Sequence, residues 1–273
     1  MRRTEFENLA DHYLSGRDVC HEYQQTIKRI SSQCREMTAD CVNEYLKKRL
    51  TEVSTITVRN ERGIILSLWV NAYQAGVVDT LPRGILKIRV RRAATRAWTL
   101  DEVKKALDEA RKSKGLRMRS GADLGDMLCA WILLGYESGA RFGDCWSFRR
   151  ENIVGEALQW TQHKTGDPLS KILTPACLEA CETMLAKSPD GRILGWVCGK
   201  RHATRVMRGH LAKCELPGTS KWLRRSGATH IEMLEPGRAR LHLGHRSVGL
   251  AEKSYLDWAQ IRTKTPRAPS LVD

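Results

Sequence analysis

Two apolar periods divide the chain, one helical and one of strand type. Thr38 stands before Val42, Tyr45, Leu46 and Leu50, the spacing of an amphipathic helix with its own N-cap. A longer stripe of Ile65, Leu68, Trp69, Ala72 and Tyr73 stops near Gly76, as a helix ending at a glycine would. Residues 1–78 therefore predict a small helical bundle. Farther on, Thr99-Leu100-Asp101-Glu102 is a capping box, and the face that follows it is Leu100, Val103, Leu107 and Ala110. The stretch ADLGDMLCAWILLGYESG is apolar nearly all round in its middle, which predicts a buried central helix ending near Ser138-Gly139. Between Glu151 and Pro175 the period shortens. Apolar segments alternate there with Gly155 and with Thr165-Gly166-Asp167-Pro168, the turn chemistry of a small antiparallel sheet. Helical spacing returns at Leu178, Cys181, Met184 and Leu185, and again in the basic stretch KRHATRVMRGHLAK from Lys200 to Lys213.

The fold class that follows is mainly α with a small antiparallel β-sheet in the second of two domains. The expected divisions are a helical domain over 1–78, a linker over 79–98, a second domain over 99–258 and a C-terminal tail over 259–273. Trp258 and Ile261, in the segment after Tyr255, either pack at home or dock on a neighbouring subunit. The linker is set off by composition, since Arg83, Lys87, Arg89, Arg91, Arg92 and Arg96 crowd it beside a proline and a glycine.

Charge narrows the partners. There are 46 Lys and Arg against 31 Asp and Glu, a net charge of +15, which favours a polyanion and nucleic acid first. The most apolar run, Met127 to Leu134, is too short to cross a bilayer, so no membrane partner is expected. The N-terminus carries two arginines with no apolar segment behind them and does not read as a secretory signal. An intracellular protein is expected. Nine cysteines occur without a C-x-x-C pair. Cys177 and Cys181 stand one helical turn apart with no partner ligands at zinc-site spacing. Buried thiols, no metal ion, no structural disulfide and no small-molecule cofactor are expected.

Candidate chemistry concentrates near the C-terminus. A helix starting after Thr219-Ser220 puts Lys221 and Arg224 on one face, where both can meet one anion such as a phosphate. Leu243-Gly244-His245 follows, with the glycine at a helix end, and Tyr255 lies ten residues beyond the histidine. A phenolic oxygen beside cations and an imidazole can attack a phosphodiester, because the charge that develops meets positive groups already in place. Upstream, Gly139-Ala140-Arg141-Phe142-Gly143-Asp144 puts an arginine at the end of the buried helix, with Asp144 three residues along to orient it.

The order of these segments resembles the tyrosine recombinases, the phage-integrase family. Lys221-Trp222-Leu223-Arg224-Arg225-Ser226-Gly227-Ala228-Thr229 is similar to that family's box His-x-Leu-Arg-His-Ser/Thr-x-Ala-Thr, with Lys221 and Arg225 in place of the two histidines. The Gly139 to Asp144 segment is similar to its Gly-x-Arg-x-x-Glu/Asp box, and Lys164 stands in a Lys-Thr-Gly context like that of its hairpin lysine. The resemblance implies a two-domain DNA clamp, a helical core-binding domain joined to a catalytic domain, with the basic linker tracking phosphates between them. It implies site-specific strand exchange on double-stranded DNA by a tetramer, through a 3′-phosphotyrosyl intermediate. The roles it implies are nucleophile for Tyr255, phosphate clamps for Arg141 and Arg224, phosphate donor or tyrosine positioner for His245, and general acid for Lys164, with Lys171 on the partner strand as the fallback. Lys221 takes the place of a histidine often given an acid-base role, and a lysine is a poor general base at neutral pH unless neighbouring cations lower its pKa. Type IB topoisomerases share this set and tolerate lysine there, so a relaxing topoisomerase is the enzymatic alternative. A DNA-binding relative without catalysis is the other.

Overall fold

Side-chain caps start most of the long helices. Thr38, Ser54, Thr99, Asp123 and Thr174 each accept a bond from a backbone N–H in the first turn that follows, and Thr99 and Glu102 close the full capping box. The computed structural model describes residues 5–34, 36–91, 93–245 and 248–262. The chain forms two units, Met1–Ala93 and Ala94–Asp273, and is mainly α with one small sheet.

The first unit packs α1 (Glu5–Ser15), α2 (His21–Gln33), α3 (Ala39–Glu52) and α4 (Thr55–Gln74) around Phe6, Ile27, Ile30, Leu46, Ile65 and Leu68. Two apolar positions read from the sequence turn outward: Leu50 is 37 % exposed and Tyr73 41 %. Arg49 takes the inward place that periodicity gives to Leu50. The reason is Glu61 on α4, 2 % exposed, which accepts from Arg49, Arg29 and Tyr45 at 2.8–3.0 Å. Burial pushes the Glu61 pKa up, but those three donors more than offset it and hold it at about 2. After α4 the backbone is irregular. Ile85 is buried and Leu86 and Ile88 pack on the first-unit core, while Arg83, Lys87, Arg89 and Arg91 are exposed. Arg92 lies outside the described residues.

The second unit is built on α6 (Leu124–Glu137), whose Met127, Leu128, Trp131, Ile132 and Leu134 are at most 2 % exposed. Around it stand α5 (Leu100–Arg111), α7 (Phe142–Ser147), α8 (Pro175–Leu185), α9 (Lys200–Lys213) and α10 (Lys221–Leu234). Then come three short helices, α11 (Ala239–Leu243), α12 (Val248–Ser254) and α13 (Trp258–Arg262). On α5 the buried face is Val103, Ala106 and Ala110. Leu100, placed on that face by the sequence, is 49 % exposed because it sits in the first turn, ahead of the contact with α6. Cys177 and Cys181 are buried on the inner face of α8. The sheet runs β1 (Ile153–Val154), β2 (Ala157–Thr161), β3 (Pro168–Ile172), all antiparallel, with Leu158 opposite Lys171 and Trp160 opposite Leu169. Residues 162–167 form the hairpin turn, closed by Gln162 N–H to Asp167 C=O at 2.9 Å, with Gly166 at φ 70°.

Ile261 packs on the small cluster of Ala228, Leu243 and Leu256, whereas Trp258 is 39 % exposed. The tail from residue 263 lies outside the described residues. No helix among the described residues is long and apolar enough to cross a membrane.

Candidate active site

Small residues let three elements close on one another. Gly227 of α10 lies so near the carbonyl of Tyr136 on α6 that a side chain there would collide with it and with His242 of α11. Gly139, in the left-handed conformation at φ 60°, would place a Cβ 2.5 Å from Nε2 of His242, so only glycine fits this turn. The buried polar face of α10 supplies anchors. Ser226 Oγ accepts from Trp98 N–H at 2.9 Å, and Thr229 Oγ1 accepts from Asp257 N–H at 3.0 Å. Asp257, two residues past Tyr255, accepts in turn from Ala97 N–H at 3.0 Å. The segment bearing the tyrosine is thus tied down on its C-terminal side.

Arg224 is the hub. It is 3 % exposed and donates to the Gly139 carbonyl, to the Leu243 carbonyl at 2.9 Å, and to Nε2 of His245 at 3.1 Å. The helix α10 does start at Lys221 as the sequence predicts, but Ser220 makes no side-chain cap. Gly244 ends α11 in the left-handed conformation (φ 62°, ψ 41°) and turns the chain so that His245 comes back against Arg224. The rings of His245 and Tyr255 meet edge-on with centroids 5.0 Å apart. The Arg224 guanidinium lies 5.0 Å from the Tyr255 ring centroid and the Lys221 ammonium 5.8 Å.

Arginine has donors only, so His245 must accept at Nε2 and carry its proton on Nδ1. That Nδ1 is buried with no hydrogen-bond partner, and so is Nε of Arg224. Burial, then the charges of Arg224 and Arg141, push the His245 pKa from 6.5 down to about 4. His242 falls to about 3, through burial first and then Lys171 and Arg224. Both imidazoles are therefore neutral at pH 7. In the unfolded chain each titrates near 6.5, so as pH falls below that value the unfolded state binds protons that the folded state refuses. Stability contributed by the neutral rings is present above pH 6.5 and is lost as pH falls toward about 4 for His245 and about 3 for His242. The melting temperature is expected to drop between pH 6.5 and pH 5, above the carboxylate range, and His242→Leu should flatten that slope in a melting series.

Arg141 stands at the N-cap position of α7 without a side-chain capping bond, and its guanidinium donates to Oε1 of Gln162. The sequence reading gave Asp144 the task of orienting it, and here the structure differs. Oδ1 of Asp144 is taken by the hairpin instead, accepting from the backbone N–H of His163 at 3.2 Å and pairing with its Nδ1 at 2.8 Å. Lys164 stands exposed in the hairpin turn and makes no hydrogen bond or ion pair with the Arg224 cluster among the described residues. Lys171 is half-buried, donating to the Leu241 carbonyl at 2.6 Å, and burial followed by the Arg224 charge lowers its pKa. Arg224, His245, Tyr255 and Lys221 are therefore brought together directly, and Arg141 through its charge and Gln162. Lys164 stays at the rim. Gln162 and Asp257 carried no signal of their own in the sequence, while Thr229 lay in the box that begins at Lys221. Among the described residues no group of three or more His, Cys, Asp or Glu side chains could hold a metal ion.

No protein-family model and no curated protein matches the chain. Solved structures do, and the fold they share is that of the tyrosine recombinases. A lambda integrase dimer bound to a COC′ core site superposes with a TM-score of 0.72 at 18 % identity, over 98 % of this chain and 79 % of that one. A lambda integrase tetramer bound to a Holliday junction gives 0.66 at 20 %, over 88 % and 77 %. The Tn1549 transposon integrase in complex with circular intermediate DNA gives 0.70 at 12 %, over 97 % and 100 %.

Proposed function

We propose that this chain is a site-specific DNA recombinase that cuts and rejoins strands through Tyr255. The observation that carries the reading is the tyrosine ring set against Arg224 and His245, with Arg224 Nε and His245 Nδ1 buried and unpaired beside it. Two unsatisfied buried donors cost stability unless an acceptor arrives, and a phosphodiester oxygen is the acceptor that suits both. Tyr255 Oη attacks the phosphorus, the bond to the 5′ oxygen breaks, and a 3′-phosphotyrosyl link remains. Arg141 and Arg224 brace the non-bridging oxygens as charge builds on them. His245, with Nε2 already held by Arg224, acts as a donor to the phosphate and not as a base. The Tyr255 proton passes to solvent water as the oxygen attacks, and Lys221 stabilises the phenolate charge as it forms. Lys164 swings in from the hairpin turn to protonate the leaving 5′ oxygen, as the family resemblance implies. The exposed Lys200, Arg201, Arg205 and Arg208 of α9 and the overall +15 charge suit a duplex backbone. Because lambda integrase forms a tetramer on a Holliday junction, this chain is expected to self-associate on its DNA.

The test is covalent trapping. The protein is incubated with nicked duplexes from its own genomic surroundings, denatured in detergent and run beside free DNA. A DNA-linked band whose tryptic phosphopeptide contains Tyr255 is the expected result. Tight binding without any adduct would sink the enzymatic reading and leave a DNA-binding relative. Relaxation of supercoiled plasmid at no preferred site would move the reading to a topoisomerase.

A further inference from the structure

The turn that carries Lys164 is fastened to the active site by a side chain that none of the boxes contains. Gln162, 1 % exposed, opens that turn. Its Oε1 accepts from Nη1 of Arg141, with Thr165 Oγ1 a longer 3.5 Å away. Its Nε2 donates to the carbonyl of Gly244 at 3.3 Å. The amide orientation follows from the partners, since a guanidinium only donates and a carbonyl only accepts. The approach depends on Gly244. A Cβ there would strike the Gln162 amide and lie 2.5 and 2.6 Å from the two methyls of Leu169.

Oδ1 of Asp144 is taken by His163 and its buried Oδ2 has no hydrogen-bond partner, whereas Gln162 bonds the Arg141 guanidinium directly. Gly244 immediately precedes His245. We infer that Gln162 is a positioning residue that sets Arg141 and the Gly244–His245 turn relative to one another, so that the two groups assigned to one phosphate keep a common geometry. An amide does this as neither a carboxylate nor a thioether can, because it accepts at one end and donates at the other. The effect on rate rests on the recombinase reading; the effect on Arg141 does not.

Two readouts separate these. In single-turnover trapping on nicked duplexes, Gln162→Met should slow adduct formation by roughly 10- to 100-fold, the loss expected of a displaced clamp, with DNA binding unchanged. The slowing should be the same for a 5′-oxygen leaving group and for a 5′-bridging sulfur, which departs without a proton. In 15N-arginine spectra, the Arg141 guanidinium signal, identified with Arg141→Lys, should shift and broaden in Gln162→Met while the Arg49 signal stays put. A variant as fast as the wild type, or one rescued by the sulfur leaving group, overturns the inference, the latter assigning Gln162 to Lys164 instead. If the wild type forms no adduct, the recombinase reading fails, and the arginine spectrum alone decides: an unmoved Arg141 signal overturns the role of Gln162. Should Gln162→Met not fold, Gln162→Glu keeps the acceptor and loses the donor, so the Arg141 signal should persist while the adduct slows; a wild-type rate there also overturns it.

Discussion

Tyr255→Phe is expected to abolish the DNA-linked band while leaving DNA binding and the melting temperature close to those of the wild type. The ring contacts that hold this side chain, edge-on to His245 and beside the Arg224 guanidinium, are kept by phenylalanine, and the one contact it gives up is the hydroxyl's bond with Arg224. What is lost is the oxygen that forms the bond to phosphorus, with no second tyrosine nearby: Tyr136 is engaged with Nδ1 of His230 at 2.8 Å. Removing a nucleophile outright typically costs at least ~10³-fold, so the adduct should fall below detection. Gel shifts on the same duplex measure the binding that remains. An adduct that persists in the variant would place the nucleophile elsewhere and end the assignment of Tyr255.

Arg224→Lys carries the second large effect, on both rate and stability. Arginine here is a buried fork, one arm on the Gly139 carbonyl and another shared by the Leu243 carbonyl and His245. A lysine keeps the charge but supplies a single point of donation on a flexible stem. At least one of the two carbonyls is then left unpaired, at about 1–3 kcal/mol, which urea denaturation would read. The phosphate would lose the donor aimed at it, and removal of one such preorganised donor costs roughly 10²–10³-fold in rate. His245 Nε2 would also lose its partner, so the proton could move to that nitrogen and the donor at Nδ1 would be lost with it. Wild-type adduct rates in Arg224→Lys would mean that charge alone suffices and that the fork geometry is irrelevant.

The helices and the sheet were legible in the sequence wherever local chemistry sets them. Thr99 with Glu102 makes its capping box within one turn, and the turn Thr165-Gly166-Asp167-Pro168 bends where its glycine adopts φ 70°. The mainly helical fold with its small sheet followed from those local signals. Side-chain partnerships did not. Asp144 sits three residues from Arg141 and so looked like its partner, yet Arg141 pairs across 21 residues with Gln162, and Gln162 reaches 82 residues on to Gly244. Spacing on one helix says nothing about contacts that a hairpin folded back onto the helix creates. The same limit explains Leu50 and Arg49, whose places were exchanged by a buried carboxylate on the neighbouring helix.

The strap that bears Tyr255 is pinned at both ends within its own unit, by Gly244 and His245 before it and by Asp257 on Thr229 after it. On the proposed reading, each copy therefore delivers its nucleophile to its own Arg224. A neighbouring copy on the DNA would then have no tyrosine to lend.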